Sequence, residues 1–181
     1  IAGLVAWRPW LDEAAALLDA AERERVSRRR RASDRDALTL SYALHRLFLA
    51  SVLRVAPSQV SLGRDPLGCP RLGDAGASTS LSHTDDFVAF AYTAQGPVGV
   101  DIEPSNRAGM LSEIAERVAT DAELDAIRSL GEVAAGPALL ALWVRKEAFL
   151  KAAGIGLARE MHTFPCPAGK VLALPDPGSG S

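Results

Sequence analysis

The sequence predicts a mixed fold of long helices and a small antiparallel sheet. Two observations carry this. Asp34 to Arg54 and Pro137 to Ala153 have the apolar spacing of long helices, the first with Leu38, Tyr42, His45, Leu49 and Leu53 on one stripe. Between them, 87–93 and 98–103 read as strands joined by Ala94-Gln95-Gly96-Pro97, a connection that fits an antiparallel hairpin. A chain of 181 residues suits one domain or two small, closely packed halves.

The elements follow in order. Ala6 to Trp10 is apolar and reads as an edge strand ended by Pro9. Asp12 suits the N-cap of a helix that turns Leu17, Leu18 and Ala21 inward. A run of arginines follows: Arg23, Arg25, Arg28, Arg29, Arg30, Arg31 and Arg35. Such a run is ordinarily a solvated face; the sharper reading is a local anion site. In the helix from Asp34, His45 is expected as a packed histidine rather than a ligand. Pro57 ends that region, 59–62 reads as a brief strand, and 64–72 and 73–78 read as loops. Leu81 to Thr84 opens the strand region.

Along 98–103, Val98, Val100 and Ile102 point one way, and Gly99, Asp101 and Glu103 the other. Two carboxylates on one face repel unless a cation or solvent separates them. Next, 107–118 has a helical pattern, and Thr120 with Glu123 is a capping-box pair opening a helix that ends near Gly131. Pro137 suits a first helical position and Gly154 a C-terminal stop. Residues 154–157 read as a tight turn, 171–174 as a short strand and 175–181 as a flexible tail.

Composition excludes several classes. A net charge of −2 gives no global attraction to nucleic acid or a membrane surface. The two cysteines, Cys69 and Cys166, sit in no C-x-x-C or His/Cys cluster, so zinc has no support and a reducing compartment is expected. No apolar run approaches the roughly 20 residues of a membrane span, and no secretory leader pattern is present, so a cytoplasmic location is expected. The chain begins with Ile1 rather than Met, and its natural start is expected to lie upstream.

The chemistry centres on W-V-R-K-E-A-F-L-K at 143–151. On a helix, Trp143, Glu147 and Lys151 fall close to one face. A lone E-x-x-x-K is ordinarily a surface salt bridge. Asp101, Glu103 and Glu147 together form an oxygen-only donor set, which favours a hard cation, Mg²⁺ before Mn²⁺. Lys151, Lys146, His83 and the arginine run are cationic partners for phosphates. With no G-x-x-x-x-G-K-[ST] and no G-x-G-x-x-G, the reading is a Mg²⁺-dependent phosphoryl-type transfer without a P-loop.

G-V-D-I-E at 99–103 followed by W-V-R-K-E-A-F-L-K-A-A-G-I-G-L at 143–157 resembles the Sfp-type 4'-phosphopantetheinyl transferases, whose patterns are G-[IV]-D-[IL]-E and W-x-x-K-E-A-x-x-K-x-x-G-x-G-L. Leu81-Ser82-His83-Thr84 is similar to the family's S-H-[ST] element, and 65–72 to its G-K-P-x-L loop. The resemblance implies transfer of 4'-phosphopantetheine from coenzyme A to a serine of an acyl, peptidyl or aryl carrier protein, releasing adenosine 3',5'-bisphosphate. It implies Mg²⁺ on Asp101, Glu103 and Glu147, with Glu147 also the base and Lys151 on the coenzyme A phosphates. It further implies coenzyme A contacts from Ser82, His83 and Lys146, with Arg28 and Arg31 near the 3'-phosphate.

The implied fold is α+β: two similar pseudo-symmetric halves, each a small antiparallel sheet on a long helix. The expected division is 1–95 for the 3'-phosphate and adenine side, 96–174 for the metal and catalytic helix, and 175–181 as tail. A monomer is expected, with a carrier-docking patch in 110–118 and around Arg107 and a lean toward secondary metabolism. Three positions depart from the pattern: Cys69 stands where the family usually has Lys, and Thr79-Ser80 where it often has Phe-Asn. The segment after Leu157 is also shorter than the family's. The alternatives are a coenzyme A or nucleotide-binding protein of the same fold without transferase activity, and a non-enzymatic interaction domain.

Overall fold

The computed structural model describes residues 1–65, 68–73, 76–155, 159–170 and 172–174. The readings of Gly156 and Leu157 as a turn, of Val171 as strand and of 175–181 as tail lie outside the described residues, as do 66–67 and 74–75 of the two expected loops. The chain divides into two compact units, Ile1–Gly96 and Pro97–Ser181.

The first unit combines helices with a small sheet. Strand β1 is Ala2–Gly3, and a 3-10 helix spans Val5–Trp10 where the sequence suggested an edge strand. The apolar run there is solvent-facing, with Trp7 40% and Trp10 56% exposed, and among the described residues no strand pairs with it. Helix α1 is Leu11–Leu17, so Asp12 lies in its first turn rather than at its N-cap, which is Trp10. Helix α2, Ala20–Ser27, opens with Asp19 as N-cap. Asp19 Oδ1 accepts from the Glu22 amide at 2.8 Å, and Glu22 Oε2 from the Asp19 amide at 3.1 Å.

Helix α3, Ala32–Leu53, runs through the middle of the unit. Leu38, Leu40, Ala43 and Leu44 pack with Leu4, Leu18 and Val88 in one cluster, and Leu49 and Ala50 pack with Val60 in another. It ends on Arg54 in the left-handed region (φ 57). Strands β2 (Leu62–Arg64) and β3 (Pro70–Leu72) then form a small hairpin. This corrects two expectations: 59–62 is a 3-10 turn over Pro57–Gln59 leading into the strand, and the expected 64–72 loop has strands at both ends. Its turn is held by Asp65, whose carboxylate accepts from the Cys69 amide at 2.9 Å and the Arg71 guanidinium at 2.8 Å.

Strands β4 (Ser78–His83) and β5 (Phe87–Thr93) pair antiparallel along their full length, from Ser78 opposite Thr93 to His83 opposite Val88; β1 pairs with the start of β5. His45 is fully buried against this sheet, as expected of a packed histidine. Thr79 Oγ1 donates to the Ala91 carbonyl at 2.8 Å, so it accepts from His45 Nε2 at 2.7 Å, which fixes the proton on Nε2.

The second unit is built on helices α4 (Ala108–Leu111), α5 (Ala115–Val118), α6 (Asp121–Ser129) and α7 (Glu132–Ala153). The expected 107–118 helix is broken by 3-10 turns at Ser105–Arg107 and Ser112–Ile114. The Ser112 hydroxyl donates back to the Gly109 carbonyl at 2.7 Å, competing with helical pairing. The Thr120–Glu123 capping box opens α6 as read. Helix α7 begins five residues before Pro137, on Gly131 (φ 81) as N-cap. The missing proline N–H removes the helical donor to the Val133 carbonyl, at the start of the helix where Val133 is 93% exposed. Gly154, at φ 67, stops the helix as expected.

Leu111, Val118, Leu139, Leu142 and Leu150 form the core of this unit, with Met161, Phe164 and Cys166 closing over it. Neither 98–103 nor Leu172 to Leu174 has strand structure, and among the described residues no ladder joins 98–103 to β5. The architecture is thus mixed helix and small antiparallel sheet, with the sheet strands of the described residues all in the first unit. Among the described residues no helix is long and apolar enough to cross a membrane.

Candidate active site

Gly99 decides where the acidic segment lies. A Cβ built on it would collide with the carbonyl oxygen of Ala148 and come within 2.7 Å of the Ala152 amide nitrogen. The backbone of this segment therefore rests directly on α7, which is why it does not extend the sheet. The contact brings Asp101 to Lys151, whose ammonium donates to Asp101 Oδ1 at 2.6 Å. Two residues on, Glu103 accepts from the Arg107 guanidinium, which also stacks on the Trp143 ring at 5.3 Å. Trp143 thus seats the arginine that holds Glu103; its own Nε1 is buried with no hydrogen-bond partner among the described residues.

Glu147 lies between Trp143 and Lys151 along the helix. Burial, then the charge of Asp101, pushes its carboxyl above the usual range, with Glu103 adding to the rise and Lys151 and Arg107 opposing it. Asp101, Glu103 and Glu147 are therefore within electrostatic reach of one another. Their oxygen-only chemistry fits a hard divalent cation, and a cation there would relieve the repulsion that raises Glu147. Among the described residues no three acidic, His or Cys side chains already close around a common point. Asp101 and Glu103 hold the chain's own cations instead.

Lys146 is not placed as the sequence suggested. It is 0% exposed, and its ammonium donates to Glu123 Oε2 at 2.6 Å and to the Met161 carbonyl at 2.8 Å. Glu123 also accepts from the Cys166 amide at 2.7 Å and the Thr120 amide at 2.9 Å. Lys146 thus ties α7 to α6 and to the segment around Met161, and is turned away from any external phosphate.

The remaining predicted residues lie in the first unit. Ser82 and His83 end β4, with Ser82 buried and His83 half-buried. Arg28 is exposed and paired with Glu24 at 2.6 Å, and Arg31 is the exposed N-cap residue of α3. At the β2–β3 turn Arg25, one of the arginine run read as a local anion site, meets Arg64, which sequence reading left in a loop and outside the site. Arg25 Nη1 lies 3.4 Å from where a Cβ on Gly68 would stand, and Gly68 has φ 90. Arg64 donates to the Gly68 carbonyl at 3.1 Å and lies 4.4 Å over the Tyr42 ring. Arg25 follows Glu22 of the Asp19–Glu22 capping pair by one turn on the same face, but no local signal reports its meeting with Gly68.

Residues 97–170 match the sequence profile of the 4'-phosphopantetheinyl transferase superfamily. The chain is 30% identical over 153 residues to 4'-phosphopantetheinyl transferase HetI of Nostoc sp., covering 82% of this chain and 65% of that protein. It is 35% identical to a phosphopantetheinyl transferase of Thraustochytrium sp., covering 75% of this chain and 52% of that protein. It is 27% identical to 4'-phosphopantetheinyl transferase gsp of Aneurinibacillus migulanus, covering 69% and 51%. The matched regions thus span between half and two thirds of these relatives' lengths.

Proposed function

Because the chain belongs to the 4'-phosphopantetheinyl transferase superfamily, we propose that it transfers the 4'-phosphopantetheine of coenzyme A to a serine of an apo carrier protein, releasing adenosine 3',5'-bisphosphate. The supporting observation is the seat of 99–103 on α7, which stands Asp101 on Lys151 beside a Glu147 carboxyl raised by burial and by its acidic neighbours. In the reaction the serine oxygen bonds to the phosphorus nearer pantetheine, and the bond from that phosphorus to the bridging oxygen breaks. Glu147 takes the hydroxyl proton. Lys151 meets the phosphate oxygens with its ammonium. Asp101, Glu103 and Glu147 are the residues that would hold Mg²⁺, which supplies fixed positive charge against the pyrophosphate.

The division of labour is part of the proposal. The first unit supplies the 3'-phosphate and adenine side through Ser82, His83 and the arginines, with Arg25 added to Arg28 and Arg31. The second supplies the metal and catalytic residues. The pseudo-symmetry is proposed on the strength of one 22-residue helix in each unit, α3 and α7. For the carrier, Leu111 and Val118 are excluded because both are core residues at 1% exposure, which leaves Met110, 72% exposed, and its surroundings. The protein is read as a cytoplasmic monomer.

Incubation with coenzyme A, Mg²⁺ and an apo carrier protein is expected to add the mass of phosphopantetheine to the carrier. Coenzyme A binding without that gain would point to the binding-only alternative. Glu147→Gln is expected to lower transfer by at least about 100-fold while the circular dichroism spectrum is retained. Full activity in that variant would remove Glu147 from the role of base.

A further inference from the structure

Arg46, near the middle of α3, is 4% exposed, and its guanidinium works in two directions. On one side Nη2 donates to Asp19 Oδ2 at 2.9 Å and to Glu22 Oε2 at 2.8 Å, the two side chains that cap α2. On the other, Nη1 donates at 3.0 Å to the carbonyl of Val60, two residues before β2. A single planar group therefore fixes the start of α2 and the approach to the β2–β3 hairpin. The same two elements meet again farther on, where Arg25 of α2 reaches Gly68 at the hairpin turn. Arg64 is fixed to that turn through the Gly68 carbonyl.

We infer that Arg46 is a positioning residue for the anion-binding end of the site: by holding both elements, it sets where the Arg25 guanidinium stands against the hairpin. This rests on the reading above that Arg25 meets a coenzyme A phosphate. The fork of an arginine spans three acceptors at fixed angles, which the point charge of a lysine does not. A purely structural ion pair would lower stability without acting through Arg25. The two roles therefore differ in whether the effects of Arg46 and Arg25 are coupled.

The test is a double-mutant cycle on the full chain, with binding of adenosine 3',5'-bisphosphate measured by titration calorimetry. Arg25→Ala and Arg46→Met are each expected to weaken binding about tenfold, the range of one charge-assisted contact. The double variant is expected to bind no more weakly than the weaker single one. In Arg46→Met the KM for coenzyme A is expected to rise with kcat at saturating coenzyme A retained. Additive losses, near 100-fold in the double variant, would overturn the inference. So would wild-type affinity in Arg46→Lys. If Arg46→Met does not fold by thermal melt, Glu22→Gln replaces it in the cycle under the same criteria. Failure of the wild-type chain to bind the bisphosphate would overturn the functional reading itself, whereas additivity with intact wild-type binding overturns only the role of Arg46.

Discussion

Lys146 and Lys151 stand five residues apart on one helix in opposite surroundings. Lys151 is part-exposed and holds Asp101; Lys146 is enclosed, and burial pulls its ammonium below the usual lysine range although Glu123 opposes the shift. Burial pushes the Glu123 carboxyl up, but hydrogen bonds from Lys146 and the Cys166 and Thr120 amides outweigh it and leave it below the usual range. Removing one partner strands the other, so Lys146→Met is expected to cost about 3–5 kcal/mol in urea unfolding. Lost transfer with unchanged stability would instead return Lys146 to the phosphates. His45 has a different liability. Burial, then Arg64 and Arg46, lowers its pKa to about 3, so it folds neutral. Above pH 6.5 neither state takes up a proton and stability is full; as pH falls toward 3 the unfolded chain gains a proton that the folded one refuses. Stability is then expected to drop by about 1.4 kcal/mol per pH unit, and the urea midpoint of His45→Gln should lack this part of the acid slope.

Among the elements, α3 and the C-terminal end of α7 are legible because apolar spacing and the Gly154 stop agree with the packing, whereas Pro137 lies inside α7 and does not mark its start. Strand β5, Phe87–Thr93, coincides with the span its sequence predicts because its apolar run is bounded by turn residues. The capping boxes illustrate partial reading: Thr120–Glu123 was seen, while Asp19–Glu22 was hidden in the arginine run. The 98–103 stretch alternates as a strand should, yet its partner is a helix backbone, a tertiary contact that alternation cannot report. Gly99 was the local clue, and it supplies a test. Gly99→Ala would force the segment off α7, and a shift of about 1 Å at a catalytic group can cost roughly 100-fold in rate. The expected result is a loss of that order in kcat/KM with helix content unchanged; near-normal turnover would show that the segment tolerates displacement. The Arg25–Gly68 meeting was illegible for a similar reason, since it joins a helix to a hairpin more than 40 residues later in the chain.

For the whole molecule, each unit carries its own core, Leu38, Leu40 and Leu44 in one and Leu139, Leu142 and Leu150 in the other. A ligand held only by the folded protein stabilises it by mass action. Coenzyme A at about 100 times its Kd is expected to add about 2.7 kcal/mol, seen as a higher melting temperature. No shift at that concentration would count against coenzyme A as the ligand. The relay from His45 through Thr79 to Ala91 adds a spectroscopic handle. It buries an imidazole N–H whose exchange with solvent waits for the first unit to open, in a protein with only three histidines. In a proton NMR spectrum that resonance would be a built-in reporter of Ile1–Gly96 alone, and comparing its decay in heavy water with the amides of α7 would show whether the two units melt as one or in sequence.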